Sequence, residues 1–329
     1  MWKVNAGRRS ALAHEFLTRS VVAIGWREAG NYLAARCYDD VHVMVTRAYP
    51  SRTDRQNQVS ASQIWRFMNE IKIGDPVLTY DPTNRLYHVG IVTGDPQYVP
   101  HEIEELPVQR NVEWNASVAR DALSDAARGR LGAILTLFKL APSAVDEIIA
   151  LASGRSAEEL ADTQSEPLPV EMADPFDGLE ELAIERVKDK LISLDWYEMQ
   201  EVVASLLRAL GYRTKVSPNG PDRGKDIIAS KDGFGFERPR IVVEVKHRKE
   251  QMGAQEIRSF LGGRHPDDRG LYVSTGGFSR DAHYEAERAS TVTHLMTLDE
   301  LARSIIEQYD HLDEDGRRLI PLTKIYWPT

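Results

Sequence analysis

The chain has 329 residues, 42% hydrophobic and 28% charged, with a formal net charge of -9 at pH 7; this length and apolar content allow two packed domains and exclude a disordered or fibrous chain. Its one cysteine, Cys37, excludes an intrachain disulfide and a cysteine-built zinc site and fits a reducing cytoplasm. The opening MWKVNAGRRS lacks an apolar run behind its charges, and the stretch LGAILTLF falls far short of the roughly 20 apolar residues a membrane-spanning helix needs, so a soluble cytoplasmic protein is expected.

In chain order, residues 1–140 read as a separate α+β, β-rich domain. WKVNA and VVAIGW are short apolar strands, ASQIWRFMNEI has apolar residues at helical spacing, and DPVLTY and LYHVGIVTGD are strands parted by the turn DPTN. LGAILTLFKL closes the domain, and its period decides neither for helix nor for strand. The succession of W-x-V, AIGW, an Asn-Gln pair before a helix, GD-x-V-L-x-Y and VGIVTGD resembles the PUA-like fold, in the branch that holds EVE and YTH domains. That resemblance implies a pocket of aromatic and small polar side chains receiving a modified base, flipped out of DNA or unpaired in RNA. It carries the role onto Trp26, Asn57 and Tyr80, with Trp2 and Trp65 in reserve. Aromatic faces stack on any base, and a side-chain amide can read a Watson–Crick edge. Asn57 has a second reading, as the cap of the helix that follows. Trp2, at the start of a strand, and Trp65, beside Phe67 and Met68 on a helix face, also suit a core.

Residues 141–178 begin with the helical pattern PSAVDEIIALA and continue as SGRSAEELADTQSEPLPVEMADPFDG, too polar to pack a core, which reads as an acidic flexible linker. Charge is unevenly spread. From 146 to 189 there are 13 acidic and 3 basic residues, whereas from 208 to 280 there are 15 Lys and Arg against 9 Asp and Glu. A locally basic face is compatible with phosphate contacts despite the net charge; an ordinary solvated surface would have the same composition.

Residues 179–329 read as an α/β domain. A helix over LEELAIERVKDKLISL leads to a second from Tyr197 to Leu210, apolar at Val202, Val203, Leu206, Leu207 and Leu210 and ended by Gly211. Strands YRTKV, DIIAS and IVVEV follow, then the helix AQEIRSFL, the strand GLYVST, the helix RDAHYEAERA, the strand HLMTL and the helix DELARSIIEQY. This order predicts a mixed sheet with helices on both faces. The apolar tail LIPLTKIYWPT suits packing onto this domain or a dimer contact.

The chemistry concentrates between Gly224 and Arg248. IVVEV is fit for burial on both faces, and Glu244 and Lys246, two residues apart, point the same way. Antiparallel pairing through the KDGFGF turn would set Asp226 beside Glu244. Two carboxylates about 4 Å apart repel by roughly 4 kcal/mol at an effective dielectric near 20, so a cation between them is expected, and hard oxygen ligands suit Mg2+ or Mn2+. A surface ion pair is the competing reading, weakened because unpaired charge is costly in a strand fit for burial.

The G-x-D, hairpin and E-x-K order, preceded by LLRALGY and followed by GLYVSTGGFS, resembles the catalytic domain of Mrr-type restriction endonucleases, members of the PD-(D/E)xK nucleases. The resemblance covers roughly Leu179 to Leu312. It implies that Asp226 and Glu244 bind the metal and that Lys246 assists the attacking water or the charged phosphate. Many relatives have Gln at the position of Glu244, and they place a Glu on the first helix where this chain has Gln200; the adjacent Glu201 is the candidate helix carboxylate. Gln255 could steady a water or make a structural contact, and His247 points to the opposite strand face. GPDRGKD is not a phosphate loop, having one residue too few between its glycines and an Asp in the Ser/Thr position, and neither H-E-x-x-H nor G-x-S-x-G occurs.

The reading that follows is a modification-dependent, type IV-like restriction endonuclease acting on double-stranded DNA, a homodimer for double-strand cleavage. Two alternatives stand beside it: a defence nuclease gated by a small nucleotide signal, and a non-cleaving binder of modified nucleic acid.

Overall fold

The apolar runs of the N-terminal part fold, in the computed structural model, into one seven-stranded sheet. The structure describes residues 1–103, 105–132, 135–155, 179–217, 226–232, 236–262, 264–265 and 267–325. Its strands are β1 (Trp2–Val4), β2 (Val21–Ile24), β3 (Pro76–Asp81), β4 (Leu86–Val92), β5 (Gln97–Tyr98), β6 (Val108–Ala119) and β7 (Leu137–Lys139), in the order β2-β6-β4-β3-β1-β7, with β5 on β6. The undecided LGAILTLFKL segment supplies β7, which pairs antiparallel with β1.

Helices α1 (Ala13–Arg19), α2 (Tyr38–Ala48), α3 (Asp54–Asn69), α4 (Asp125–Leu131) and α5 (Pro142–Ala152) accompany this sheet. Adjacent strand residues face opposite ways, and Val77 and Leu78 of β3 accordingly enter different cores. Val77 joins Val22, Ile24, Ile64 and Phe67, whereas Leu78 joins Tyr80, Tyr87, Leu131 and Ile148. β6, the longest strand, barely announces itself in the sequence, because its second half alternates Glu, Asn and Ser with single apolar residues.

The contact pattern divides the chain into two units, Met1–Leu182 and Ala183–Thr329, a division that falls inside helix α6 (Leu179–Ile192). Most of the acidic linker expected over 153–178 lies outside the described residues, since 156–178 are not among them.

The second unit continues with α7 (Trp196–Ala209), β8 (Arg213–Val216), β9 (Ile227–Ser230), β10 (Ile241–Lys246), α8 (Ala254–Leu261), β11 (Arg269–Ser274), α9 (Arg280–Glu287), β12 (Thr293–Thr297), α10 (Leu298–Glu307) and α11 (Glu314–Leu319). The sheet order is β12-β11-β10-β9-β8; β8, β9 and β10 pair antiparallel and β10, β11 and β12 parallel. It is therefore a mixed sheet with β10 in the middle. One face buries Ile227, Val243, Val245 and Val273 against apolar residues of α6, α7 and α10; the other packs Tyr272 and Leu295 against Ile257, Phe260 and Ala282 of α8 and α9.

α7 starts on a capping box of Asp195 and Glu198, and Gly211, at φ +84°, ends it in the left-handed region that glycine enters without strain. The apolar tail packs onto this unit as far as it is described: Ile320 is buried and the Tyr309 hydroxyl accepts from Leu322 N at 2.7 Å. Trp327 lies outside the described residues. No helix among them is long and apolar enough to cross a membrane.

Candidate active site

β10 is apolar along Val242, Val243 and Val245, which buries it at the middle of the sheet and carries Glu244 inward with its neighbours. Its antiparallel register sets Val243 against Ile227, so Glu244 falls opposite Asp226, one residue ahead of β9. The ladder continues there. Asp226 N donates to Val243 O at 2.9 Å, and Asp226 Oδ2 accepts from Val245 N at 2.6 Å. Opposed residues share a face of the sheet, as do residues two apart on one strand, so Asp226, Glu244 and Lys246 form one group. Lys246 Nζ stands 2.7 Å from Glu244 Oε1. Tyr272 and Ser274, the register partners of Glu244 and Lys246 on β11, extend the same face. The Ser274 hydroxyl is buried and has no hydrogen-bond partner among the described residues.

Both carboxylates are nearly out of solvent, Asp226 at 9% and Glu244 at 8% exposure. Burial pushes the Glu244 carboxyl above its ordinary range; hydrogen bonding and attraction from Lys246 oppose this, and the charge of Asp226 adds to it. A Glu244 carboxyl that resists ionisation even beside a lysine, with the Asp226 carboxylate opposite it, is short of positive charge, and a divalent cation is the kind of group that would make up the difference. No group of three or more His, Cys, Asp and Glu side chains among the described residues could hold a metal. Further ligands drawn from the described residues would be carbonyl oxygens, with water completing the set, which suits Mg2+ or Mn2+.

The loops beyond β10 and β11 fix the end of the site. Thr275 N donates to Lys246 O, and the Thr275 hydroxyl accepts from Arg248 N at 2.9 Å. Gly276 touches the neighbouring loop so closely that a Cβ there would lie 2.3 Å from Glu250 O, a backbone atom with little room to move. Gly276→Ala should cost about 1–3 kcal/mol through this overlap, read as a lower urea midpoint at unchanged slope; an unchanged midpoint would show that the loop yields freely.

Other site candidates fall elsewhere. Glu201 is ion-paired to Arg208, which also holds Asp313, so its carboxylate belongs to a network joining α7 to the start of α11. Gln200 turns inward instead: it is 1% exposed, and neither end of its amide has a partner among the described residues. His247 Nε2 donates to Leu194 O at 2.8 Å, beside the start of α7. Gln255 is exposed on α8.

In the first unit, Trp26 adopts a left-handed backbone (φ 63°) and packs, half-buried, against the core that contains Ala61 and Ile64 of α3. Asn57 lies one turn before Ala61 on the buried stripe of that helix. It is 1% exposed, with Oδ1 unpartnered among the described residues. The capping reading of Asn57 is corrected: Thr53 caps α3, reciprocally with Gln56. Tyr80 stands apart, its ring tilted against that of Tyr87 with centroids 4.6 Å apart, in the core on the other face of the sheet. Trp2 is core and donates from Nε1 to Asp75 at 3.3 Å, and Trp65 packs half-buried against the same core as Trp26.

Arg264 was not legible as a site residue. It follows the Gly-Gly after α8, 20 residues beyond Glu244 in sequence, with no motif to mark it. In the fold its Nε donates to Phe260 O at 2.6 Å, its guanidinium lies over the Phe260 ring at 4.4 Å, and its charge acts on both Glu244 and Asp226.

Comparison with known proteins agrees on the second unit. Residues 191–305 match the family model of the Mrr catalytic domain, described as a restriction endonuclease. Residues 2–141 match a model described only as a domain of unknown function (DUF8426). An uncharacterized protein of Sinorhizobium fredii, y4cE, is 30% identical over 132 residues, 39% of this chain and 33% of that protein; the match thus spans about a third of the relative's length. Among solved structures, the MspJI restriction endonuclease in complex with a 27-mer oligonucleotide aligns over 80% of this chain and 67% of its own at 14% identity and a TM-score of 0.27. The DNA modification-dependent restriction endonuclease AspBHI aligns over 79% and 72%, at 14% identity and a TM-score of 0.33.

Proposed function

We propose that this chain, whose residues 191–305 are a restriction endonuclease catalytic domain of the Mrr type, is a modification-dependent endonuclease that hydrolyses phosphodiester bonds of double-stranded DNA. The observation that carries the catalytic half is the convergence of Asp226, Glu244 and Lys246 on one face at the middle of the sheet, with the two carboxylates buried. A bound Mg2+ or Mn2+ would supply Lewis acidity and a more acidic water. Asp226 and Glu244 would hold it, while Asp226 also fixes the β10 backbone through Val245 N. Lys246, kept in place by Glu244, orients the attacking water and meets the negative charge that develops on the phosphate.

The reading half rests on residues 1–140 as a PUA-like domain, with residues 141–178 as helix and linker and 179–329 as the nuclease. Trp26 and Asn57 border one core, and the buried, unpartnered Asn57 oxygen suits a donor from a base edge. Tyr80 takes part only through its packing. Because one active site cuts one strand, double-strand cleavage calls for two copies.

The test is cleavage of matched plasmids, unmodified, 5-methylcytosine and 5-hydroxymethylcytosine, with Mg2+ or with chelator. The expected outcome is cutting confined to a modified plasmid and abolished by chelator. Equal cutting of all three would leave the nuclease and remove the reader; cutting in chelator would remove the metal.

A further inference from the structure

Beside Lys246, Arg264 is a second cation whose charge acts on the carboxylate pair, and nothing in the E-x-K motif accounts for it. Long arginines at helix ends usually satisfy the last carbonyls, and the bond from Nε to Phe260 O does that. More is built here than a cap. The guanidinium lies over the Phe260 ring at 4.4 Å, Phe260 meets Tyr272 edge-on at 5.0 Å, and Tyr272 is the register partner of Glu244. A continuous line of contacts thus runs from Arg264 through Phe260 to Tyr272, on the strand beside the one that bears Glu244. Arg264 is also partly buried, and Glu244 and Asp226 are two of the three carboxylates whose charge acts on it, Asp268 being the third. Asp268 itself is engaged by Arg238 and Arg240.

A guanidinium partly withdrawn from water and acted on by an electronegative pair has two uses. It neutralises the pair while no metal is bound, and it offers a planar, permanently charged donor set to a phosphate. Once a divalent cation neutralises the carboxylates, the arginine is released from the first use to serve the second.

We propose that Arg264 is a phosphate-binding residue of the nuclease site, gripping a non-bridging oxygen of the target phosphodiester, and that it competes with the metal for the charge of Asp226 and Glu244. The assignment rests on the nuclease reading above and names a residue for it. It makes a prediction that a structural arginine does not: metal affinity and cleavage respond to its removal in opposite directions.

The experiment uses the full chain as wild type, Arg264→Ala, Arg264→Lys, Asp226→Ala and the control Arg258→Ala, an exposed α8 arginine paired to Glu285. Mn2+ binding is measured calorimetrically on protein alone, and kcat on the plasmid that the wild type cuts. Arg264→Ala should cut about 100-fold more slowly, the scale of losing one charge-stabilising donor. It should bind Mn2+ a few-fold tighter than wild type, with Arg264→Lys recovering part of the rate and Arg258→Ala unchanged; an Mn2+ affinity equal to wild type would overturn the competition. Cleavage by Arg264→Ala within threefold of wild type overturns the proposal, as does loss of Mn2+ affinity together with rate, the mark of a purely structural role. If wild type cuts nothing, or Asp226→Ala cuts normally, the nuclease reading itself fails and takes this assignment with it.

Discussion

Asp226→Asn should retain the fold and lose the chemistry, lowering kcat/KM on the plasmid the wild type cuts by a factor on the order of 10³ or more. The choice of Asn over Ala follows from the two tasks of this side chain. Its Oδ2 accepts from Val245 N at 2.6 Å in a buried setting. Ala would leave that amide without a partner, at a cost of roughly 1–3 kcal/mol, and a loss of activity could then be assigned to a shifted β10. Asn presents an oxygen of the same reach and removes only the negative charge. Thermal unfolding without metal should therefore change little, Mn2+ binding should vanish in calorimetry, and cleavage should vanish with it. The Glu244 carboxyl should also fall back toward its ordinary range, because the charge of Asp226 is among the influences that raise it. Cutting by the Asn variant within tenfold of wild type would remove Asp226 from the metal site and leave the pair as a structural feature of the hairpin.

The site was readable because its geometry is local. Strand alternation placed Glu244 and Lys246 on one side, a single hairpin returned Asp226 to their level, and the apolar residues around them implied burial; each step involves fewer than 25 residues of sequence. The helices and parallel strands of the second unit were readable for the same reason, through apolar spacing and the glycine after α7. What could not be read depends on distant packing. Arg264 is tied to the strand pair through Phe260 and Tyr272, whose rings meet edge-on between α8 and β11, and no spacing rule connects it to Glu244. That Gln200 is buried while Glu201 is ion-paired turns on which side of α7 is covered, and Glu201 finds its partner Arg208 in a network with Asp313, far along the chain. β6 was obscured because half of its side chains are polar, and Tyr80 was grouped with Trp26 because a motif gives order along the chain but not the face of a sheet.

Lys246→Met should lower the cleavage plateau by about 10²–10³, the scale of one lost electrostatic stabiliser, and move the acid limb of the pH–rate profile to higher pH. The direction follows from the balance at Glu244. Burial holds its carboxyl above the ordinary range, and Lys246 is the largest influence pulling it down. With the ammonium gone the carboxyl rises further, so the ionised form needed to hold a cation appears only at higher pH. The same balance fixes stability without metal. The native state holds the Glu244 proton more tightly than the unfolded chain does, so this group's contribution is complete below the ordinary carboxylate value and is lost as pH rises through the raised native value. Glu244→Gln removes that loss. At neutral pH and without metal it should be more stable than wild type by roughly 1 kcal/mol, a common gain when an active-site charge is neutralised, or about 2–4 °C in Tm. Mn2+ at about 100 times its Kd should then reverse the order, adding roughly 2.7 kcal/mol to wild type and nothing to the variant. A Glu244→Gln chain less stable than wild type without metal would mean that the ion pair with Lys246 outweighs burial, and that the carboxylate pair is satisfied without a cation.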